Sequence, residues 1–158
     1  MSVDTQPGLV LLLSISPDTA EQMVKVAKEK AEELSLKKIA IGVMGMERFL
    51  LASASGGGVT PNNVDTVERK LDTVMNTRRS IHVQKAYMER EKIRPSNYGL
   101  SIRTLFDGGL AVFADPELTQ FVGAIAASGG SGWEDARCCV AGLESVGLFT
   151  DEIDSLAN

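Results

Sequence analysis

Two pairs of short apolar runs, each pair joined by a short polar connection, constrain the fold of this chain most strongly. The first pair is Lys38 to Val43 and Phe49 to Ala54, and the second is Leu110 to Phe113 and Phe121 to Ala127. Runs of this length, separated by turn residues, are typical of β-hairpins. Because the strands of a hairpin pair antiparallel, the sequence predicts an antiparallel sheet.

Helical patterns precede, separate and follow the two hairpins. Ser16 is placed to cap a first helix. The apolar stripe of that helix runs through Ala20, Met23, Val24, Ala27, Ala31 and Leu34. Asn63 is the expected cap of a second helix, and a third is expected from after Ser80 to about Lys92. Ser131 and Glu134 have the spacing of a capping box that opens the last helix.

The apolar run at residues 9–15 is interpreted as one more strand, ahead of the first helix. The resulting order is strand, helix, hairpin, helices, hairpin and helix. This order indicates an α+β fold in which helices pack on an antiparallel sheet. We expect residues 1–158 to form a single domain with its core at about 9–148, because no linker or repeat divides the chain.

The composition excludes several classes of function. Sixteen basic and twenty-one acidic residues give a net charge of −5, which argues against a nucleic-acid-binding surface. His82 is the only histidine, and Cys138 and Cys139 are the only cysteines. A zinc site built from paired Cys and His ligands cannot be assembled from them, so no metal site is predicted. A Ser-His-Asp or Cys-His catalytic device would have to use His82.

The expected location is the cytoplasm. The apolar run Leu9 to Leu13 is too short to span a bilayer, which needs about 20 residues. Asp4 is the only charged side chain before it, so the run lacks the basic leader of a secretory signal. Two adjacent cysteines also suit a reducing compartment.

Several motifs in a consistent order resemble a known family. They are Gly108-Gly109-Leu110, the run FVGAIAASG at 121–129, Asp135 at the start of the last helix, Lys70-Leu71-Asp72-Thr73-Val74, and Tyr98-Gly99-Leu100. Together they are similar to the GlcG/HbpS-like family, also called the haem-degrading domain family. A related module occurs at the C-terminus of some cobalamin adenosyltransferases. The resemblance covers roughly residues 9–148.

The resemblance implies a profilin-like fold, which is a five-stranded antiparallel sheet with helices on both faces. The sequence departs from the family pattern at three places. Met44-Gly45-Met46-Glu47 replaces an Asp-x-x-Gly turn, Leu71 and Asp72 replace an Ala and an Arg, and Leu110 stands where the pattern leads towards a proline.

Lys70, Tyr98, Gly99 and the loop Ser128-Gly129-Gly130-Ser131 are the candidate ligand-binding residues. Backbone N–H groups in a glycine-rich loop before a helix can receive a carboxylate or phosphate, although the same glycines could merely form a tight turn. Lys70 could face a pocket as a cation or extend to solvent. Tyr98 could offer its hydroxyl to a ligand or close the edge of the sheet.

His82 is the candidate haem ligand, although a single histidine on a helix is more often solvated. Lys70, Glu47, Asp107 and Tyr98 are the candidate catalytic residues if the protein is an enzyme. Cys139 is expected in the core and Cys138 beside it.

We predict a small-molecule-binding protein of the GlcG/HbpS-like type that forms a homo-oligomer, and the resemblance implies haem or a corrinoid as a ligand. The alternative is a cofactor-independent enzyme of isomerase or lyase type that acts on a small organic acid or carbonyl compound. A third possibility is an interaction module with no ligand. We expect neither nucleic acid nor a membrane as a partner.

Overall fold

A computed structural model describes residues 8–151 of the chain. They form four α-helices, one 3-10 helix and four strands. In chain order these are α1 (Pro17–Glu33), β1 (Ala40–Gly45), β2 (Leu50–Ser55), α2 (Pro61–Thr77), α3 (Ile81–Arg90), the 3-10 helix (Pro95–Ser101), β3 (Gly109–Phe113), β4 (Phe121–Ser128) and α4 (Gly132–Ser145).

The strands form one antiparallel sheet in the order β2-β1-β4-β3. The two predicted hairpins are therefore confirmed, and they meet where β1 pairs with β4, from Ala40 opposite Ser128 to Gly45 opposite Gly123. The prediction of five strands is wrong, because the described residues form four. The α+β class with helices on both faces of the sheet is confirmed.

The missing fifth strand is the apolar run at residues 9–15. Its end is held near the sheet, because Ile15 N donates to Val122 O at 3.1 Å and Ser14 Oγ accepts from Met46 N at 3.0 Å. Leu9 to Leu13, however, have no strand partner among the described residues and are 48–92% exposed. β1 and β4 each have a strand neighbour on both sides, so the run adds the Ile15–Val122 hydrogen bond at the end of β4 without forming a strand of its own.

Each face of the sheet has its own apolar core. Helices α1 and α4 cover one face, where Met23, Ile41, Ile125 and Leu143 are buried together. Helix α2 covers the other face and contributes Leu71 to a second cluster. β1, β3 and β4 are buried along their whole length, whereas β2 at the sheet edge is partly exposed.

Helices α1, α2 and α4 start with a side-chain cap, and one of the predicted caps needs a correction. Thr60, not Asn63, is the N-cap of α2; Asn63 stands three residues later and completes a capping box with it. Ser131 and Glu134 form the predicted capping box of α4. Between residues 8 and 151, no helix combines the length and apolarity that crossing a membrane requires.

Candidate active or ligand-binding site

A buried ion pair joins helix α2 to helix α4. Lys70 Nζ lies 3.2 Å from Asp135 Oδ2 and donates to Ala127 O, near the end of β4, at 2.6 Å. The two side chains are only 2% and 4% exposed. They are the only buried charged side chains in the part of the chain that the structure describes. Burying two charges is costly unless they are paired and hydrogen-bonded, and these two are.

Asp135 is held from two sides. Its Oδ1 accepts from Gly130 N at 2.9 Å, while its Oδ2 faces Lys70. Burial of the carboxyl group raises the pKa of Asp135 to about 6, because loss of water outweighs the opposing effects of Lys70 and the Gly130 N–H. A pKa of about 6 lies close to neutral pH, and perturbed pKa values of this kind are common at functional sites.

Glycine at position 108 lets the ion pair form. Gly108 has φ +102°, and a Cβ there would lie 2.5 Å from Asp135 Cβ and 3.0 Å from Lys70 Nζ. Both the backbone conformation and the space exclude a larger residue. The Gly108-Gly109 pair of the sequence motif is thus explained by close approach of the backbone to Lys70 and Asp135.

The ion pair lines a cavity of about 400 Å³, which we call the Lys70 cavity. Its lining residues come from α2, α3, α4, the end of β4 and the segment before β3. They are Asn62, Thr66, Lys70, Lys85, Leu105, Phe106, Asp107, Ser128, Gly130, Gly132 and Asp135. Cavities of this size are typical of small-molecule sites.

A second ion pair stands at the same cavity. Lys85 Nζ lies 2.6 Å from Asp107 Oδ1, and about a third of each side chain is exposed. Gly132 leaves room for Asp107, because a Cβ at Gly132 would lie 2.7 Å from Asp107 Cβ. Phe106, which also lines the cavity, is 71% exposed.

A larger cavity of about 550 Å³ lies elsewhere, between the end of α1 and the end of β2. Lys28, Glu32, Leu36 and Gly56 are among its lining residues. It contains no buried charged side chain. The chemistry therefore favours the smaller Lys70 cavity as the functional site.

The structure brings some of the candidate residues together at the Lys70 cavity. Lys70, Asp107, Ser128 and Gly130 all line it. Ser131 adjoins them but serves as the N-cap of α4, where its hydroxyl accepts from Glu134 N.

Other candidates lie outside the cavity lining. Glu47 is exposed at the β1–β2 turn and His82 is exposed on α3. Tyr98 is half-buried in the 3-10 helix, next to an exposed Gly99. Gly129 packs against the backbone of Lys38.

Sequence reasoning missed Asp135 and Lys85 as members of the site. Asp135 belongs to the family motifs, but the sequence marks it only as an acidic residue in the first turn of a helix, which is a common feature of helix starts, so it is not among the candidate site residues. Lys85 sits on a different helix from Lys70, and no spacing links the two. Neither pattern indicates burial or a partner distant in sequence.

Neither the cysteines nor the side chains that could bind a metal ion form an alternative functional site among the described residues. Cys138 and Cys139 are both buried, and burial raises the pKa of Cys138 to about 11. A thiol with a raised pKa is a poor nucleophile at neutral pH. Between residues 8 and 151, no group of three His, Cys, Asp or Glu side chains is placed to hold a metal ion.

Asp72, which departs from the family motif, contacts the turn that carries another departure. Arg48, in the β1–β2 turn, lies 3.6 Å from Asp72, which also pairs with Arg103 at 2.7 Å. Leu71, beside Asp72, is fully buried. Asp72 thus takes part in a partly exposed ion-pair cluster away from the cavity lining.

A family model described as haem degrading protein HbpS-like matches residues 15–144 of the chain. The chain belongs to the HbpS-like family. The resemblance seen in the sequence motifs is thereby confirmed. No curated protein matches the sequence.

Solved structures share the fold of this HbpS-like chain. HbpS is 20% identical with a TM-score of 0.77, over 92% of this chain and 99% of that one. A double mutant of Streptomyces reticuli HbpS is 21% identical with a TM-score of 0.76, over 93% and 97% of the two chains. A PduOC:heme complex is 15% identical with a TM-score of 0.73, over 87% and 99%.

The raised pKa of Asp135 predicts a specific pH dependence of stability. The folded state holds the Asp135 proton more tightly than the unfolded state does. The free energy of unfolding of the wild type minus that of Asp135→Asn should therefore fall as pH rises from about 4 to 6, by roughly 3 kcal/mol, and level off above. Urea denaturation at a series of pH values measures this difference.

Asp65→Asn, at an exposed position of α2, controls for the loss of one negative charge. A wild-type-minus-Asp135→Asn difference that rises with pH would contradict the prediction, since it would mean that Lys70 lowers the pKa of Asp135 more than burial raises it.

Proposed function

We propose that this HbpS-like protein binds a small molecule in the Lys70 cavity. The observation that carries the proposal is a nearly fully buried ammonium group at the wall of a cavity of about 400 Å³. An ammonium has three N–H donors, and Ala127 O and Asp135 Oδ2 accept from two of them. A polar ligand in the cavity gives the third a partner.

The placement of the other candidates favours binding over the enzyme alternative. Lys70 and Asp107 line the cavity, but Glu47 and Tyr98, the other two groups proposed for catalysis, do not. The turn that carries Glu47 pairs through Arg48 with Asp72 instead. The enzyme alternative therefore lacks two of its four proposed groups at the site.

The binding proposal is tested by filling the cavity. Thr66→Phe should place an aromatic ring in it, whereas Asp65→Phe adds the same ring at a neighbouring position that does not line it. In a nuclear magnetic resonance screen of small neutral and charged molecules, we expect hits that shift the amides of Gly130 and Gly132. Thr66→Phe should weaken them about tenfold or more, a loss of roughly 1.4 kcal/mol, and Asp65→Phe should not.

Hits that shift other amides, or that survive Thr66→Phe unchanged, would contradict the placement of the site. A screen without any hit at these amides would contradict binding in the cavity altogether.

Haem is the second candidate ligand, and a specific observation favours it. The structural neighbour PduOC is described as a heme complex, and the matched family is described as haem degrading. The lining of the Lys70 cavity does not fit a haem iron, because its described residues include no His, Cys, Met or Tyr. His82, exposed on α3, is the residue that would supply an axial ligand, outside the cavity.

A haem titration separates the two binding modes. If haem binds through His82, the wild type should show a saturable shift of the Soret band, and His82→Ala should weaken it about tenfold or more. Thr66→Phe should leave the Soret shift unchanged, because the new ring fills the Lys70 cavity and His82 lies outside that cavity. No Soret shift in the wild type, or an equal shift in His82→Ala, would remove His82 as a haem ligand.

We also propose that the protein assembles with further copies of itself. Leu9 to Leu13 are five consecutive apolar residues that are each 48% or more exposed. Ser14, which follows them, hydrogen-bonds to Met46 in the β1–β2 turn, where Phe49 is 67% exposed. The outer edge of β2 has no strand partner among the described residues. Contiguous exposed apolar patches and open sheet edges are features that proteins commonly cover with a partner.

The assembly is tested by introducing one lysine at each of two equally exposed positions. Val10 and Leu100 are each 92% exposed, but only Val10 belongs to the apolar run. Sedimentation velocity should show the wild type and Leu100→Lys above the 16.9 kDa monomer mass. Val10→Lys should shift towards the monomer, because a buried unpaired charge is costly. A monomeric wild type, or the same distribution for both variants, would contradict the proposal.

A further inference from the structure

The Lys70 cavity collects the N-terminal ends of two helices. Asn62, in the first turn of α2, and Gly132, the first residue of α4, both line it. Helix N-termini carry about half a positive charge each, together with backbone N–H groups that have no partner inside the helix. The two ends thus bring a positive potential to one cavity.

At each helix end, one backbone N–H group of a lining residue has no acceptor among the described residues. The caps Thr60 and Ser131 accept from Asn63 N and Glu134 N, respectively. Among residues 8–151, no hydrogen-bond acceptor serves the N–H of Asn62 or of Gly132. Lys70 Nζ donates to two acceptors among the described residues, Ala127 O and Asp135 Oδ2, and its third N–H has none there, although its side chain is only 2% exposed.

The charge balance of the lining favours a single negative charge on the ligand. Lys70 pairs with Asp135, and Lys85 pairs with Asp107, so the side-chain charges cancel. The two helix ends then leave a potential equivalent to about one positive charge. No arginine is among the described lining residues, so they do not offer the planar guanidinium that suits a phosphate dianion.

The cavity also has an apolar part. Leu105 and Phe106 line it, and Phe106 is 71% exposed. An exposed aromatic side chain at a polar cavity can pack against an apolar group of a ligand. A ligand that combines one carboxylate with a short apolar chain would match both parts.

We infer that the Lys70 cavity binds a small organic monocarboxylate. Its carboxylate accepts from the N–H groups of Asn62 and Gly132 and from Lys70, and its apolar chain packs against Leu105 and Phe106. This inference rests on the proposed function, since it names the class of ligand for the same cavity.

Butyrate and butyramide test the inference, because they have nearly the same shape but differ in charge. Titrated into the ¹⁵N-labelled protein, butyrate should shift the amides of Asn62, Gly130 and Gly132 in a saturable way. Butyramide and inorganic phosphate should bind at least about tenfold more weakly, a difference of roughly 1.4 kcal/mol.

Two matched variants test the charge balance. Lys85→Gln leaves the Asp107 carboxylate without its ion-pair partner, so it should weaken butyrate binding about fivefold or more. Lys25→Gln removes the same charge from an exposed position on α1 and should leave the affinity within about twofold. Equal weakening by both variants would mean that only the overall charge matters.

The outcomes distinguish failure of this inference from failure of the proposed function. If butyramide shifts the same amides as strongly as butyrate does, the cavity binds small molecules but the carboxylate class is wrong. The same conclusion follows if only neutral or cationic molecules bind there. If no small molecule shifts these amides, the proposed function falls together with the inference.

Discussion

The pairing of Lys70 with Asp135 is the interaction on which the rest of this structure depends. Helix α2 packs on one face of the sheet and α4 on the other, so Lys70 reaches past the sheet end to contact Asp135. Gly108 makes that path possible, because any side chain there would collide with the pair. Removing one partner of such a buried pair typically costs about 3–5 kcal/mol, because it leaves the other charge unpaired.

The same contact connects stability with the site. Burial raises the pKa of Asp135, and the same side chain lines the cavity together with Gly130 and Gly132. Proteins retain groups with perturbed pKa values at functional sites more often than elsewhere. A stability cost located at a cavity wall is therefore consistent with selection for binding.

Much of the fold could be predicted from the sequence, because the signals are local. The hairpins, the helix at Pro17–Glu33 and the capping box of α4 each depend on residues a few positions apart. The run at residues 9–15 misled the prediction, since an apolar run has the same composition whether it pairs in a sheet or lies exposed. The strand order leaves it no edge at β1 or β4, and strand order is a property of the whole sheet.

The sequence by itself determined the α+β class, the two hairpins and the family, and it marked Lys70 as a candidate site residue. Its single histidine also determined that no cavity of this chain could hold a paired histidine site. Only the tertiary structure decided that Asp135 faces Lys70, that Lys85 and Asp107 share its cavity, and that Glu47, Tyr98 and His82 do not. The reason is physical: helix and hairpin signals act over a few residues, whereas contacts between residues 65 positions apart arise from packing of the whole sheet and its helices.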